Sequence, residues 1–263
     1  MMQLIEIKDL HVCIKNKAIL SGIDFVLAEG KITSIIGPNG SGKTTLLKSI
    51  CRIVKPSRGS IALKGVDINK IKTKAFAGDV AFMTQHHECP SDLTVRELVE
   101  YGRYARRTWW KGGGREDQEI VDWALAKTGM ECFAHRMLVT LSGGERQRAW
   151  IAMSLAQKPK LLILDEPTTY LDICHQLEIL ELIKALNRDE GITVLMVIHD
   201  INQAVRFSDE LLIIREGKIY ASGHACEIIN EENLKEVFRV NTHIFYDSET
   251  KKPFFYPKNV FGG

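Results

Sequence analysis

The spacing of apolar and polar residues changes twice along the chain. In the first third, short apolar runs are separated by turn formers such as Glu29-Gly30 and Pro56-Ser57, a pattern typical of β-strands. The strands predicted there are Leu4 to Leu10, Ile32 to Ile36, Ser60 to Leu63 and Val80 to Met83. From Thr94 the apolar residues recur every three or four positions, and Thr94 and Glu97 have capping-box spacing. We therefore expect an all-helical insertion from about residue 90 to about residue 157.

After Pro159, continuous apolar segments alternate with amphipathic ones. The predicted order is strand LLILDE, helix DICHQLEILELIKALNRDE, strand TVLMVIHD and helix INQAVRFSD. Buried strands that alternate with helices are typical of a parallel sheet with crossover helices, so we expect an α/β fold. A hairpin should follow, turning at Glu216-Gly217. The tail should contain a short helix near Glu231 to Phe238 and two strand-like segments around Lys251-Lys252-Pro253, a pattern that indicates no function.

The composition argues against several classes of function. Lys and Arg total 35 against 33 Asp and Glu, a net charge of +2, which gives no electrostatic reason to expect nucleic acid or an anionic membrane as a partner. Apolar runs such as residues 194–198 are far shorter than the roughly 18 to 20 residues needed to cross a bilayer. The N-terminal segment MMQLIEIKDL lacks the features of a secretory signal, so we expect a cytoplasmic location. The six cysteines form no CxxC pair, and we expect them to be reduced and buried.

A glycine-rich loop, GPNGSGKTT, follows the apolar strand ITSII and precedes the helical segment TTLLKSICRIV. Glycines allow successive backbone N–H groups to point at a phosphate, and the start of the helix adds a partial positive charge. This context predicts a site for a nucleoside triphosphate, formed by Gly37, Pro38, Asn39, Gly40, Ser41, Gly42, Lys43, Thr44 and Thr45. Lys43 would reach the β and γ phosphates, and the Thr44 hydroxyl would bind Mg²⁺.

Two carboxylates follow the strand LLIL. In parallel sheets, ligands bind beyond the carboxyl ends of the strands. Asp165 would therefore hold Mg²⁺, through water, and Glu166 would accept a proton from the water that attacks the γ phosphorus. A solvated turn explains an isolated Asp-Glu pair equally well, but the phosphate-binding loop favours the catalytic interpretation.

A second glycine-rich stretch, LSGGERQR, occupies residues 141–148. Its plain explanation is local, because Ser142 and Glu145 have capping-box spacing at the start of a helix. Two consecutive glycines weaken a helix start, by something like 1 kcal/mol each in a helix interior. Close approach of the backbone to a ligand explains the glycines better than the capping box does.

These motifs occur together with Gln85 after the strand VAFMT, the run LLILDEPTTYLD and the histidine of VIHD. In this order, residues 3 to 240 resemble the nucleotide-binding subunit of an ATP-binding cassette (ABC) transporter. The resemblance implies a P-loop NTPase core with a mixed parallel sheet, an N-terminal antiparallel β portion and an inserted α-helical subdomain. The core would comprise residues 1–89 and 158–240, the helical signature subdomain 90–157, and the C-terminal tail 241–263.

The resemblance also implies that two identical copies share each ATP. Ser142, Gly143 and Gly144 of one copy would contact the γ phosphate held by the P-loop of the other. Gln85 would touch Mg²⁺ and the attacking water, Asp172 would cross the dimer interface, and His199 would contact the γ phosphate. The family usually stacks adenine on an aromatic side chain, whereas Ile14 takes that position here, which predicts weaker selectivity for adenine, by about 0.5 to 1.5 kcal/mol.

Within the family, the segments PTTYLDICHQLEILELI and VRELVEYGRY are similar to ATPases of importers for ferric siderophores, haem and vitamin B12. That similarity implies membrane permease subunits and, indirectly, an extracytoplasmic binding protein as partners, with the chain on the inner face of the cell membrane. The permease would dock near residues 85–92 and 99–113. Arg106, Arg107, Trp109 and Trp110 could line that dock or could equally form a solvated helix end with partly packed tryptophans.

Two other classes remain open. ABC ATPases also serve DNA repair and translation, but those chains usually carry a coiled-coil insertion or a second cassette, and this chain has neither, nor a basic stripe for nucleic acid. A regulatory module would bind ATP without turnover, and the presence of both Glu166 and His199 argues against it.

Overall fold

The computed structural model describes residues 2–85, 92–106 and 114–261. Contacts divide the chain into two units, which are described separately below. Unit 1 comprises Met1–Lys70 and Leu195–Gly263, and unit 2 comprises Ile71–Val194.

Strands and α-helices make up most of the described residues. The strands are β1 Gln3–Ile14, β2 Lys17–Ala28, β3 Ile32–Ile36, β4 Arg58–Leu63, β5 Val66–Asp67, β6 Val80–Met83, β7 Leu161–Asp165, β8 Thr193–Val197, β9 Glu210–Arg215, β10 Lys218–His224, β11 Val240–Tyr246 and β12 Pro253–Val260. The helices are α1 Lys43–Ile50, α2 Thr73–Asp79, α3 Val95–Tyr101, α4 Arg115–Thr128, α5 Gly143–Ala156, α6 Ile173–Glu190, α7 Ile201–Phe207, α8 Ala225–Ile228 and α9 Glu231–Phe238.

Unit 1 contains an antiparallel sheet in the order β2-β1-β4-β5. Buried and exposed residues largely alternate along β2, as expected for a strand with one face in the core. A second set of strands pairs β3 with β9 in parallel and β9 with β10 in an antiparallel hairpin that turns at Glu216 and Gly217. All five residues of β3 are buried, so this strand gives the loop that follows it a rigid base. The tail forms a hairpin of β11 and β12.

Unit 2 pairs β6 with β7 in parallel, with Val80 opposite Leu161 and Met83 opposite Leu164. Its helical part contains α3, α4 and α5. The Arg103 side chain, which is only 5% exposed, donates hydrogen bonds to Asp117 on α4 at 2.7 Å and to the carbonyl oxygen of Ala156 on α5 at 2.7 Å. Both the charge and the donors of this buried guanidinium are therefore satisfied.

Most of the predicted elements are present. The strands at 32–36 and 80–83 have the predicted bounds, the Thr94 capping box is formed, and the short helix of the tail spans the residues expected for it. The strand β2 and the helix α2 were not predicted from the sequence. The division into a core, a helical subdomain and a tail stays a prediction.

The prediction of buried cysteines was wrong. Cys13, Cys132 and Cys174 are exposed and Cys51 and Cys226 are partly buried, all as free thiols, and Cys89 lies outside the described residues. Among the described helices, none combines the length and the apolar character required to span a membrane.

Candidate functional site

The loop after β3 has a backbone that only glycine tolerates at two positions. Gly37 has φ 151°, and a Cβ there would lie 2.1 Å from the backbone oxygen of Ile214. Gly42 has φ 106°, and a Cβ there would lie 2.6 Å from Cδ2 of Leu20. A Cβ at Gly37 would clash with backbone, which only a movement of the chain could relieve, and at both positions the positive φ is one that residues with a Cβ rarely adopt. The loop therefore keeps a bend that turns its backbone inward between β3 and α1.

Lys43, the first residue of α1, is 6% exposed, and its ammonium group donates to the carbonyl oxygens of Gly37 at 2.9 Å and Pro38 at 3.0 Å. A nearly buried cation is thus held at the concave side of the loop. The Ser41 hydroxyl is also buried, and it has no hydrogen-bond partner among the described residues. A buried donor without a partner lowers the stability of the fold by about 1 to 3 kcal/mol, so a ligand that accepts a hydrogen bond from it would be bound more tightly.

The start of α1 completes a site for an anion. Its N-cap, Gly42, supplies no side-chain hydrogen bond, and no acidic residue occupies the first turn. The partial positive charge of the helix dipole is therefore not neutralised by the helix itself. Together with Lys43 and the Ser41 hydroxyl, this first turn fits the phosphates of a nucleotide. Thr44 and Thr45 lie in the same turn and are half-buried.

Two more predicted site residues belong to unit 1. His199 is exposed and lies between β8 and the Asp200 N-cap of α7. Its neighbour Ile198 donates its N–H to the carbonyl oxygen of Ile35 on β3 at 3.4 Å, two residues before the loop begins. Ile14 is the last residue of β1 and is 41% exposed, so an apolar face is available to a ligand there.

In unit 2, the pairing of β6 with β7 places Gln85 beside Glu166. Gln85 follows Met83 by two residues and Glu166 follows Leu164 by two, and these two strand residues are register partners. The Gln85 side-chain amide donates a hydrogen bond to Oε2 of Glu166. The Thr169 hydroxyl donates to the same oxygen at 3.1 Å. Two donors therefore fix the orientation of the Glu166 carboxylate.

Glu166 also has a strained backbone, with φ 56°. A left-handed conformation costs a residue with a Cβ roughly 1 to 2 kcal/mol, and such strain concentrates at functional sites. Asp165, the last residue of β7, is 2% exposed. The chain thus turns sharply between the buried carboxylate of Asp165 and the carboxylate of Glu166, which two hydrogen bonds orient.

The stretch LSGGE at residues 141–145, called the signature loop below, forms the capping box that its spacing predicts. The Ser142 hydroxyl accepts the N–H of Glu145 at 3.3 Å, and the Glu145 carboxylate accepts the N–H of Ser142 at 2.8 Å. The Ser142 N–H holds the pKa of Glu145 below its usual value. The helix α5 then begins at Gly143.

The second glycine of this loop is required by a contact within the chain that the sequence did not predict. A Cβ on Gly144 would lie 2.4 Å from Cδ2 of His175, a residue in the first turn of α6. Gly143 is less confined, because its added Cβ would lie 3.3 Å from the flexible end of Leu171. Close packing within unit 2 therefore accounts for Gly144 without a ligand.

Asp172 is the N-cap of α6, and its carboxylate accepts two hydrogen bonds from His175, from the backbone N–H at 2.9 Å and from ring Nδ1 at 2.8 Å. The backbone N–H of His175 is the main reason that the pKa of Asp172 lies below its usual value. His175 thus contacts both Asp172 and Gly144. The spacing of Asp172 and His175, a cap and a residue one turn later, was the signal available in the sequence.

One residue of the predicted permease-docking surface, Arg106, makes hydrogen bonds within the chain. The Arg106 guanidinium donates to the backbone oxygens of Gly78 at 2.6 Å, Gln157 at 3.2 Å and Lys158 at 3.3 Å. It holds loops of unit 2 together, so a role in docking would require breaking these bonds. Residues 86–91, Arg107, Trp109 and Trp110 of the predicted dock lie outside the described residues.

Comparisons with known proteins agree with this geometry. The family model described as "ABC transporter" matches residues 20–169. The chain is 49% identical over 231 residues to the petrobactin import ATP-binding protein FpuC of Bacillus anthracis, an alignment that covers 88% of this chain and 84% of the relative.

Two solved structures extend the agreement to the fold. An inward-facing ABC transporter of the metal-chelate type matches with a TM-score of 0.86 at 26% identity, covering 98% of both chains. The dimeric cassette MJ0796 with bound ADP and phosphate matches with a TM-score of 0.73 at 29% identity, covering 84% of this chain and 98% of that one. The predicted fold class, a P-loop NTPase core with a mixed sheet and an antiparallel β portion, is confirmed. The chain therefore belongs to the ABC transporter family, as one of the ATP-binding subunits that hydrolyse ATP to power transport.

Proposed function

We propose that this chain hydrolyses ATP to energise import of a metal chelate, such as an iron siderophore, haem or cobalamin, through a separate membrane permease. The observation that carries the catalytic part is Glu166, which Gln85 and Thr169 orient at the carboxyl end of β7. Support for the cargo comes from the relative that serves petrobactin import and from the structure of a metal-chelate type transporter.

ATP would bind to unit 1 through its phosphates. The backbone of residues 37–45 surrounds the β and γ phosphates, and the Lys43 ammonium exchanges its two carbonyl acceptors for phosphate oxygens. The Ser41 hydroxyl gains the acceptor that it lacks among the described residues. Ile14 provides contact area for adenine without aromatic stacking.

Mg²⁺ would be held by Thr44, Gln85 and Asp165. A hydroxyl, a side-chain amide oxygen and a carboxylate are the hard oxygen donors that Mg²⁺ prefers, so the donor set fits. The Gln85 bond to Glu166 uses its amide nitrogen, so this bond does not involve the oxygen assigned to the metal. Held by these residues, the ion would neutralise negative charge that develops on the phosphates during hydrolysis.

Glu166 would act as the general base that accepts a proton from the attacking water. Its two hydrogen bonds hold the carboxylate in one orientation, which reduces the entropy lost in reaching the reactive geometry. His199 would contact the γ phosphate and help to position the same water.

A second copy of the chain would complete each site. Its Ser142 hydroxyl accepts from Glu145 but can still donate its proton to the terminal phosphate, with the backbone of Gly143 and Gly144 alongside. Asp172 would cross the interface between the copies. The dimer of the similar cassette MJ0796 with ADP and phosphate supports this arrangement. Closing the pair would also exclude water from the developing charge.

The remaining partners follow from the proposed import. Permease subunits would hold the chain at the cytoplasmic face of the membrane, docking near residues 85–92 and 99–113. An extracytoplasmic binding protein would select the cargo and act indirectly. Nucleic acid is not expected as a partner, because the net charge is only +2.

The catalytic proposal is tested with Glu166→Gln. This variant keeps the size and one hydrogen-bond acceptor of the side chain but removes the base, so turnover should fall by about 100- to 10,000-fold. ATP affinity, measured with a fluorescent analogue, should stay unchanged, and gel filtration with ATP should show a trapped dimer. Thr169→Val serves as a milder comparison, because it removes one orienting bond and leaves the base. Rapid hydrolysis by Glu166→Gln would remove Glu166 from this role.

The cargo is tested by uptake. Cells that lack their own copy of the gene receive either this chain or its Glu166→Gln variant, and accumulation of radioactive iron from ferric siderophores, of haem and of cobalamin is measured. The proposal expects that the active chain alone restores uptake of one chelate class. Restoration of none of them, with ATPase activity intact, would leave the enzyme assignment standing and overturn the import of a metal chelate.

A further inference from the structure

The hairpin of β11 and β12, to which the sequence assigned no function, binds the C-terminal end of α7. The Lys252 ammonium donates to three backbone oxygens there, those of Val205 at 2.9 Å, Arg206 at 3.1 Å and Ser208 at 2.7 Å. The last carbonyls of a helix have no partner within the helix, and a cation is favourable at that end. An ammonium has three N–H donors, so one side chain can satisfy all three carbonyls.

The hairpin also binds the first turn of the same helix. The Asn202 side-chain amide donates to the carbonyl oxygen of Phe255 on β12 at 3.2 Å, and its oxygen accepts the N–H of Phe255 at 3.0 Å. This two-way pairing imitates one step of a β-ladder. Lys252 and Asn202 thus fasten both ends of α7 to the tail.

The turn that presents Lys252 is itself ordered. The Asp247 carboxylate accepts the N–H of Thr250 at 2.6 Å and the hydroxyl of Thr250 at 2.8 Å. The backbone N–H of Asp247 donates to the carbonyl oxygen of Lys252 at 3.0 Å. The backbone that carries Lys252 is therefore already ordered, so only the side chain loses conformational entropy when Lys252 contacts the helix.

On its other side, α7 is attached to the strand that leads into the P-loop. The Ser208 hydroxyl, at the end of α7, is hydrogen bonded to the Ser34 hydroxyl of β3 at 2.6 Å. Ile198, just before His199, donates to Ile35 of the same strand. With seven residues, α7 is too short to be stable by itself and depends on such contacts. His199 is exposed and directly precedes the N-cap of this helix, so the position of α7 sets the position of His199.

We infer that Lys252 and Asn202 are positioning residues for His199, and that the tail hairpin thereby controls the rate of ATP hydrolysis. The inference rests on the proposed contact of His199 with the γ phosphate. Without the hairpin, α7 frays and His199 samples positions away from the phosphate, and displacement of a catalytic group by about 1 Å can cost as much as 100-fold in rate. ATP binding is unaffected, because neither residue belongs to the P-loop.

The test is Lys252→Met, which keeps the length of the side chain and removes its donors, with Lys251→Met as the matched control. Lys251 is exposed in the same turn. We expect kcat to fall by about tenfold for Lys252→Met, with KM for ATP unchanged and faster hydrogen exchange of the amides in residues 201–208. The control should keep the wild-type values. Asn202→Asp, which loses the donor to Phe255 and keeps the acceptor, should have a smaller effect in the same direction.

Repeating the lysine substitution in a His199→Ala chain distinguishes a positioning role of Lys252 from general destabilisation. If Lys252 acts through His199, then Lys252→Met should lower kcat no further in a His199→Ala chain. An equal drop in both backgrounds, or equal rates for the two lysine variants, would overturn the inference. Full turnover by His199→Ala alone would instead refute the role of His199 and so identify a failure of the proposed function.

Discussion

The helices α1 and α5 both begin at glycine-rich loops, and their first turns are built in opposite ways. In α5, the Ser142 hydroxyl and the Glu145 carboxylate satisfy each other's backbone N–H groups. In α1, the N-cap Gly42 supplies no side-chain acceptor, and the first turn contains no acidic residue. The first turn of α5 thus neutralises its own N-terminal charge, whereas that of α1 keeps its positive potential for a ligand.

The difference shows which loop can bind a nucleotide alone. The P-loop combines that potential with the ammonium of Lys43 and the buried hydroxyl of Ser41. The signature loop can donate the hydroxyl proton of Ser142 and backbone N–H groups to a phosphate. It also carries the negative charge of Glu145 in the same turn. We therefore expect the P-loop to supply most of the affinity for ATP. The signature loop should contribute only when a second copy of the chain brings it to the ATP that the first copy holds.

Lys43→Ala should have the largest effect on binding. Charge-assisted hydrogen bonds contribute about 1.5 to 3 kcal/mol, so the affinity of the isolated chain for ATP should fall by roughly 10- to 100-fold. Titration with a fluorescent ATP analogue at low protein concentration measures this. Lys48→Ala, in the last turn of the same helix, is the control and should bind normally. Equal affinities for the two variants would mean that the charge at the start of α1 does not hold the phosphates.

Gly144→Ala should come next. Because the added Cβ would lie 2.4 Å from the His175 ring, we expect a loss of about 1 to 3 kcal/mol in the free energy of unfolding. The same change should have little effect in a His175→Ala chain, which removes the ring. Gly143→Ala is the matched control, since only the end of Leu171 must move. Urea titrations of the four combinations give the coupling energy, and additive effects would show that His175 is not what excludes a side chain from position 144.

Ser142→Ala should have a smaller effect on stability and a selective effect on turnover. Loss of the cap costs about 1 kcal/mol. ATP affinity of the isolated chain should remain at the wild-type value, while hydrolysis at high protein concentration should fall, since the hydroxyl serves the site of the second copy. Thr94→Ala removes the other capping box, on α3, and should lose similar stability with normal hydrolysis. Weaker ATP binding by isolated Ser142→Ala protein would contradict the division of roles.

The sequence predicted those parts of the fold that depend on local pattern. The apolar runs of β3, β6 and β7 and the capping boxes at Thr94 and Ser142 were found because each signal lies within a few residues. The strand β2 was missed although buried and exposed residues largely alternate along it, because Ser21 and Gly22, which are typical of turns, lie in its middle. The short helix α2, with no side-chain cap, carried no start signal.

The candidate site likewise has parts that the sequence predicted and parts that it did not. The motifs identified Lys43, Asp165 and Glu166, because these residue types at fixed spacing carry the chemistry. The contact of His175 with Gly144 and the bonds of Lys252 to α7 were not predictable, since each joins residues that are far apart in sequence. Such contacts depend on the folded chain and leave no periodic pattern.

The smallest expected effect is the pH dependence that the Glu145 carboxylate of the signature loop contributes to stability. The pKa of Glu145 is lowered in the folded chain, chiefly by the N–H of Ser142. A group whose pKa is lower when folded stabilises the protein above its unfolded value, about 4.5, and that stability is lost as the pH falls through the folded value. Between about pH 5 and pH 3 the wild type should therefore lose stability more steeply than Glu145→Gln, measured as the urea midpoint at each pH. Of the two helix starts, only that of α5 can contribute such a titration, because the first turn of α1 has no acidic residue. Parallel curves for Glu145→Gln and the wild type would show that the carboxylate does not hold the signature loop, and the contrast between the two helix starts would then rest on the Ser142 hydroxyl.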